Sequence, residues 1–274
     1  MTQTTFETVT VSVDNHIATV RLNRPEKANA MNLTMWHDIR KAFNWIDETA
    51  EARVAIIEGE GKHFTSGIDL QMMMGLLPMI KNECDGRTRE NLRRVVLDLQ
   101  DTLTAIERCR KPVLAAIHGG CVGGGVDLIS CTDMRYCSAD AYFTIKEIDI
   151  GMVADVGTLQ RLPKLIGNQG IVREMAYTGR KVEAAEAQTI GLVNRVYDTR
   201  EALQAGVREI AAQIAAKSPL SIRGTKEMLN YSRDHSVADG LNYIATWNAA
   251  MLMSNDLNAA MMAGMTKQTP VFKD

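Results

Sequence analysis

No two cysteines in the 274-residue chain stand in a C-x-x-C pair, and the five present (Cys84, Cys109, Cys121, Cys131, Cys137) are odd in number. A disulfide framework and a zinc knuckle are therefore not expected, and a reducing compartment fits. The five histidines (His16, His37, His63, His118, His235) form no H-E-x-x-H and no pair at ligand spacing, so structural roles are expected for them and no metal. Charge of one sign is not in excess: the net charge is -2, and no run of Lys and Arg could coat a phosphate backbone. Nucleic acid is not expected as a partner. Long apolar runs are missing too. The longest, Met72 to Ile80, contains Pro78 and is too short to span a bilayer, so no membrane association is expected. The stretch Met1 to Thr10 lacks the basic and apolar regions of a signal peptide, and the ending Phe272-Lys273-Asp274 is not an S-K-L type address. A cytoplasmic location is expected on that ground.

What the chain does have is an ordinary globular balance, 46% hydrophobic and 23% charged, with length for one large domain or one domain plus a helical appendage. Val9, Val11 and Val13 share one face of a strand, a second alternating strand runs from Ile17 to Leu22, and Asp14-Asn15 marks the hairpin turn between them. Asn32 to Asp47 has helical spacing through Met35, Ile39, Ala42, Phe43 and Ile46, and Val54 to Ile57 reads as a buried strand. A helix near Arg89 to Arg108, a strand from Pro112 to Ile117, a helix opening near Gly124, and strands at Met134 to Cys137 and Tyr142 to Ile145 continue the alternation. An α/β layered fold is implied.

After Asp155 helices dominate, at Thr158 to Ile166, Gln169 to Tyr177 and Glu183 to Ile190, broken by the strand Val193 to Tyr197. Asp198 with Glu201 has capping-box spacing, Ser218-Pro219 reads as an N-cap followed by proline, and Ser254 can cap the last helix. Met and Ala crowd this final region (Met251, Met253, Ala259, Ala260, Met261, Met262), a composition suited to packing or to a subunit surface.

In His118-Gly-Gly-Cys-Val-Gly-Gly-Gly-Val-Asp127, a buried strand empties into five glycines and then a helix. Glycine lets a backbone approach a ligand closely, and the free N–H groups of a first helical turn favour negative charge. The spacing fits neither G-x-x-x-x-G-K nor G-x-G-x-x-G, which leaves an oxyanion site or a plain tight turn. A second glycine turn, His63-Phe64-Thr65-Ser66-Gly67-Ile68-Asp69, also follows a strand. Phe64 stands where a G-x-S-x-G nucleophile elbow would need its first glycine, so serine chemistry is not expected. Four carboxylates remain: Asp127, Glu147, Asp149 and Asp155. Each has a plain role available as helix-dipole partner, loop charge or cap, but Asp127 lies among Val126, Leu128 and Ile129, a setting that raises a pKa toward proton-transfer range.

Asn23-Arg24-Pro25-Glu26-Lys27-Ala28-Asn29-Ala30-Met31-Asn32, the two glycine turns and Gly157-Thr158-Leu159-Gln160-Arg161-Leu162-Pro163 together resemble the crotonase, or enoyl-CoA hydratase/isomerase, superfamily over essentially the whole chain. The resemblance implies an α/β crotonase-like spiral of ββα units over residues 1–200 and a C-terminal helical trimerisation region over 201–274, giving a homotrimer or a dimer of trimers. It implies an oxyanion hole made by the backbone N–H groups of Ile68 and Gly124 around an acyl-CoA thioester. No cofactor is implied, coenzyme A being part of the substrate. Asp127, Glu147 and Asp155 look like the acid set of the Δ3,5-Δ2,4-dienoyl-CoA isomerase branch, where hydratases carry two glutamates and a glycine. That implies proton removal at C2 by Asp155, return at C6 by Glu147, and tuning by Asp127. Lys27 and Lys273 are implied at the CoA phosphates, and Met72-Met73-Met74 with Leu76-Leu77 along an acyl tunnel. Alternatives on the same fold are a 2-enoyl-CoA hydratase, a Δ3-Δ2-enoyl-CoA isomerase, and a non-catalytic RNA- or partner-binding protein.

Overall fold

The computed structural model describes residues 2–273. The chain opens with β1 (Thr2–Thr5), β2 (Val9–Asp14), β3 (Ile17–Leu22), α1 (Leu33–Glu48), β4 (Val54–Gly59), α2 (Leu70–Ile80), α3 (Asp85–Arg108), β5 (Val113–Ile117), β6 (Gly120–Val122) and α4 (Gly124–Ser130). It continues through β7 (Met134–Ser138), β8 (Tyr142–Thr144), α5 (Thr158–Leu165), α6 (Gln169–Thr178), β9 (Val182–Glu183), α7 (Ala184–Thr189) and β10 (Arg195–Tyr197). Four helices follow: α8 (Arg200–Ala215), α9 (Pro219–Asp234), α10 (Val237–Met251) and α11 (Asn255–Thr266).

Asn15 and His16 both take positive φ, 49° and 65°, which is the geometry of a two-residue turn whose twist matches the flanking strands. The expected hairpin is therefore present, with its turn one residue later than read. Asn32 caps α1 by accepting from the Met35 N–H at 2.9 Å, and the spaced apolar residues of that helix are all buried. Strand β3 is buried on both faces rather than one, because it pairs in parallel with β4 in the middle of a seven-stranded sheet, ordered β1-β2-β3-β4-β5-β7-β10. The pairings through β3 are antiparallel and those beyond it parallel.

A second sheet, β6-β8-β9, takes one strand from each of two successive units: β5 passes to β6 and then α4, and β7 passes to β8 and then α5. This ββα repetition wedges a large apolar core between the sheets and helices α1 and α3. Helix α8 covers the other face of the large sheet, setting Leu203, Val207, Ala211 and Ala215 against Ile17, Ile56, Leu114 and Ala116. Helices α9 to α11 extend from there with few buried residues and leave Leu229, Leu241, Met262 and Met265 exposed.

One cap differs from expectation. Thr199, not Asp198, caps α8: its backbone is extended and its hydroxyl accepts from the Ala202 N–H at 3.2 Å. Ser218 and Ser254 do cap α9 and α11. Among the described residues no helix is long and apolar enough to cross a membrane.

Candidate active site

The two glycine turns are stitched side by side. Ser66 N–H donates to Ala28 O, Met31 N–H to Gly67 O and Asp69 N–H to Met31 O, while Thr65 N–H reaches Gly120 O and Val122 N–H returns to Thr65 O, all between 2.7 and 3.1 Å. Asn29, wholly buried, locks the arrangement by donating to the carbonyls of Glu60 and His63 at 2.8 and 3.0 Å. Beside Ile68 and Gly124, the Gly67 N–H is taken by Thr65 Oγ1 and the Gly123 N–H by Thr144 O. Among the described residues the N–H groups of Ile68 and Gly124 themselves donate to no protein acceptor. Gly67 has φ 89°, and a Cβ there would sit 2.6 Å from Val122 O and 3.4 Å from Gly124 N, so only glycine permits this approach.

Both unclaimed amides belong to the wall of one cavity of about 430 Å³. Glu147 and Asp155 line it as well. Asp127 lies one layer deeper in α4, fully buried, with Oδ1 accepting from the Thr158 N–H at 2.6 Å and Oδ2 without a partner. Burial pushes its pKa up to about 6; Thr158 opposes the rise, the charge of Asp155 adds to it, and Arg161 opposes it. Glu147 opens a 3-10 turn, and its Oε1 would stand 3.1 Å from a Cβ on Gly123, whose φ of 52° also calls for glycine. Burial first and Asp127 second push the Glu147 carboxyl up to about 7, and its buried Oε2 has no partner. Burial raises Asp155 too. The neighbouring Asp149 is outside this group, exposed and ion-paired with Lys146.

The rest of the wall is apolar, from α2 (Met73, Leu76, Leu77) and α3 (Leu92, Val95, Leu99). Of the anticipated methionine run, Met73 alone lines the cavity; Met72 packs into the core and Met74 faces solvent. Lys27 is exposed beside Ala28, on the segment that pairs with the Ser66 turn, and does not line the cavity. Lys273 is exposed next to Phe272, whose carbonyl accepts from Arg53 at the far end of β4 from the Phe64 turn; within one chain it is not brought to the site.

Three polar contributors escaped the sequence reading. Trp36 lines the cavity and its buried indole Nε1 has no partner; its place between Met35 and Ile39 on the buried face of α1 was the available signal. Thr158 holds Asp127, and Gln100 on α3 donates to the Asp155 carbonyl at 2.6 Å. The latter two depend on contacts 31 and 55 residues apart in the chain, for which no local pattern exists. His63 and His118 have structural partners, the Gly120 N–H and the Gly61 carbonyl.

A family model described as enoyl-CoA hydratase/isomerase matches residues 12–274. The chain is 49% identical over 252 residues, 92% of its length and 77% of the relative's, to a Homo sapiens protein named Delta(3,5)-Delta(2,4)-dienoyl-CoA isomerase, mitochondrial. It is 46% identical over 269 residues, 98% of its length and 96% of the relative's, to an Arabidopsis thaliana protein named Delta(3,5)-Delta(2,4)-dienoyl-CoA isomerase, peroxisomal. A crystal structure of an enoyl-CoA hydratase from Bacillus anthracis superposes with a TM-score of 0.86 at 31% identity, covering 96% of this chain and 98% of that one. The mitochondrial and peroxisomal names overturn the cytoplasmic location expected above. Organelle addresses are short segments read by receptors, separate from the packed fold, so charge, cysteine usage and hydropathy of the folded part carry no address. With nearly the whole chain matched, and the paired glycine turns and buried acids in place, the protein belongs to the enoyl-CoA hydratase/isomerase family.

Proposed function

We propose that the protein converts a 3,5-dienoyl-CoA to the 2,4-dienoyl-CoA. The observation that carries this reading is that Glu147 and Asp155 share one apolar cavity with the unclaimed amides of Ile68 and Gly124. The names of the human and Arabidopsis relatives support it.

The thioester carbonyl accepts from the Ile68 and Gly124 N–H groups. Asp155, ionised, takes a proton from C2, and the C–H electron pair enters a dienolate whose charge rests on the thioester oxygen. Glu147, protonated, delivers a proton to C6. One C–H bond breaks, one forms, and the two double bonds shift by one position; return of a proton from Asp155 to Glu147 resets the site. A preorganised amide facing such an oxyanion is worth about 2.7–4 kcal/mol, so the pair lowers the barrier at least as much as either acid. No resident cofactor is needed. Met73, Leu76, Leu77 and the α3 wall hold the acyl chain. Residues 1–200 form the unit that carries the site, and the 201–274 segment supplies self-association, through the exposed faces of α9 to α11, into a trimer or a dimer of trimers. Lys27 meets the CoA phosphates from its own chain and Lys273 from a neighbouring copy.

The test is ultraviolet absorbance with a 3,5-dienoyl-CoA, comparing wild type with Asp155→Asn and Glu147→Gln. Growth of the conjugated 2,4-dienoyl chromophore is expected in wild type and a loss of about 100-fold or more in each variant. Hydration of a 2-enoyl-CoA with no dienoyl product would replace this reading with that of a hydratase.

A further inference from the structure

Thr158 opens α5 and is almost wholly buried. Its N–H holds Asp127 Oδ1 at 2.6 Å. Its hydroxyl Oγ1, carried by the same residue, has no hydrogen-bond partner and is shut off from solvent. Asp127 Oδ2 is the matching orphan. Two buried, unpaired oxygens on residues already joined by a 2.6 Å bond are costly unless one of them has a use.

The chemistry of the two groups suggests that use. An ionised carboxylate only accepts hydrogen bonds; a protonated one also donates. A backbone N–H serves only the acceptor. A threonine hydroxyl can donate to the first form and accept from the second, with a rotation of one bond. None of the charged groups around Asp127 hydrogen-bonds to its Oδ2. Asp155 precedes α5, Glu147 lies on the turn after β8, and both are carboxyls; Arg161 on α5 is held by Glu107 at 2.9 Å, with Arg233 on the other oxygen of that glutamate. Cys121 on β6 and Cys131 after α4 complete the titratable neighbours, both with thiols raised by burial.

The local backbone favours the same role. Gly157 has φ 137°, and a Cβ there would collide with the Arg161 guanidinium, so the chain turns at glycine to present the Thr158 N–H to Asp127. Asp155 stands three residues earlier. One short segment therefore carries both a cavity carboxyl and the clamp on the buried acid.

We propose that Thr158 is a positioning residue whose hydroxyl accommodates both the ionised and the protonated form of Asp127. The inference rests on the isomerase reading above, with the charge of Asp127, after burial, raising Glu147.

The experiment is a pH titration of the Asp127 carboxyl by NMR of protein labelled with ¹³C at aspartate, assigned against Asp127→Asn, in wild type, Thr158→Val and Thr158→Ser. kcat and KM on a 3,5-dienoyl-CoA are measured alongside. Thr158→Val is expected to raise the Asp127 midpoint by about one pH unit, because the hydroxyl that turns to donate to the charged form is gone, and to lower kcat roughly tenfold with KM unchanged. Thr158→Ser restores both. If Thr158→Val does not fold, Thr158→Ala reads the same midpoint. An unmoved midpoint in a folded variant, or failure of Thr158→Ser to restore it, overturns the proposal. A moved midpoint in a protein that isomerises nothing leaves the Thr158 clamp standing and removes the isomerase reading instead.

Discussion

Arg24 Nη1 lies 3.1 Å from Asp69 Oδ2, and the other oxygen of the same carboxylate accepts from the Gln71 N–H at 2.9 Å, so Asp69 both pairs with the Asn23–Asn32 segment and caps α2. The residue between Asp69 and Gly67 is Ile68, one of the two unclaimed amides. Both partners' side chains are mostly buried, at 16% and 14% exposed, so screening by solvent is limited. Asp69→Ala is expected to cost about 2–3 kcal/mol in urea unfolding, from the lost cap and the stranded arginine, and to lower kcat about tenfold by loosening Ile68. Asp69→Asn keeps the cap and should recover part of the stability but not kcat; equal kcat in all three proteins would separate this pair from the site.

The pH dependence of kcat/KM follows from the two cavity acids. Glu147 must be protonated to deliver to C6, and its carboxyl is held at about 7, so the rate should fall as pH rises through about 7. Asp155 must be ionised, and burial raises it above the ordinary carboxylate range, so the rate should also fall as pH drops toward that raised value. A bell results. Because Asp127 is the second cause of the Glu147 shift, Asp127→Asn should move the alkaline limb to lower pH. An alkaline limb that stays in place would break the link between the two acids.

Asp127 should make the fold less stable as pH rises. Its carboxyl titrates at about 6 in the folded chain against an ordinary 3.8. Between those values the folded state keeps a proton that the unfolded state has released, so unfolding loses protons and stability falls across that window. The loss is complete above about 6. Asp127→Asn, which still accepts from the Thr158 N–H, should therefore be more stable than wild type by of order 2 kcal/mol at pH 8, with the difference gone below about pH 4. Denaturant titrations at the two pH values measure it; a variant equally stabilised at both would point to packing instead.

Gly67→Ala tests the approach of the two turns directly. A Cβ would have to sit 2.6 Å from Val122 O with the backbone at φ 89°. The expected result is a folded protein, by circular dichroism, with kcat reduced about 100-fold or more as the Ile68 amide leaves its position. Retained activity would remove the paired amides from the reaction.

How much of this was readable before the tertiary structure differs by element. Helix α1 was legible because its capping Asn32 and its apolar period are local and agree. The central strands and the two glycine turns were legible for the same reason. Strands β1, β6 and β9 were not: the second and third have three and two residues, too few to carry an alternation, and they exist because neighbouring chain offers them an edge. The cap of α8 was misread by one position because Asp198 and Thr199 are both good cap residues and only the backbone angle at Thr199 chooses between them.

The sequence by itself determined the layered α/β order, the glycines that allow a close backbone approach, and the identities of the acids. The tertiary structure alone decided that Glu147 lies in the cavity wall while Asp149, two residues on, stands in solvent beside Lys146. It alone decided that the N–H groups of Ile68 and Gly124 both face one cavity without a protein acceptor. Periodicity and capping are set by near neighbours in the chain, whereas desolvation and the use of backbone donors are set by segments that arrive from 30 or more residues away.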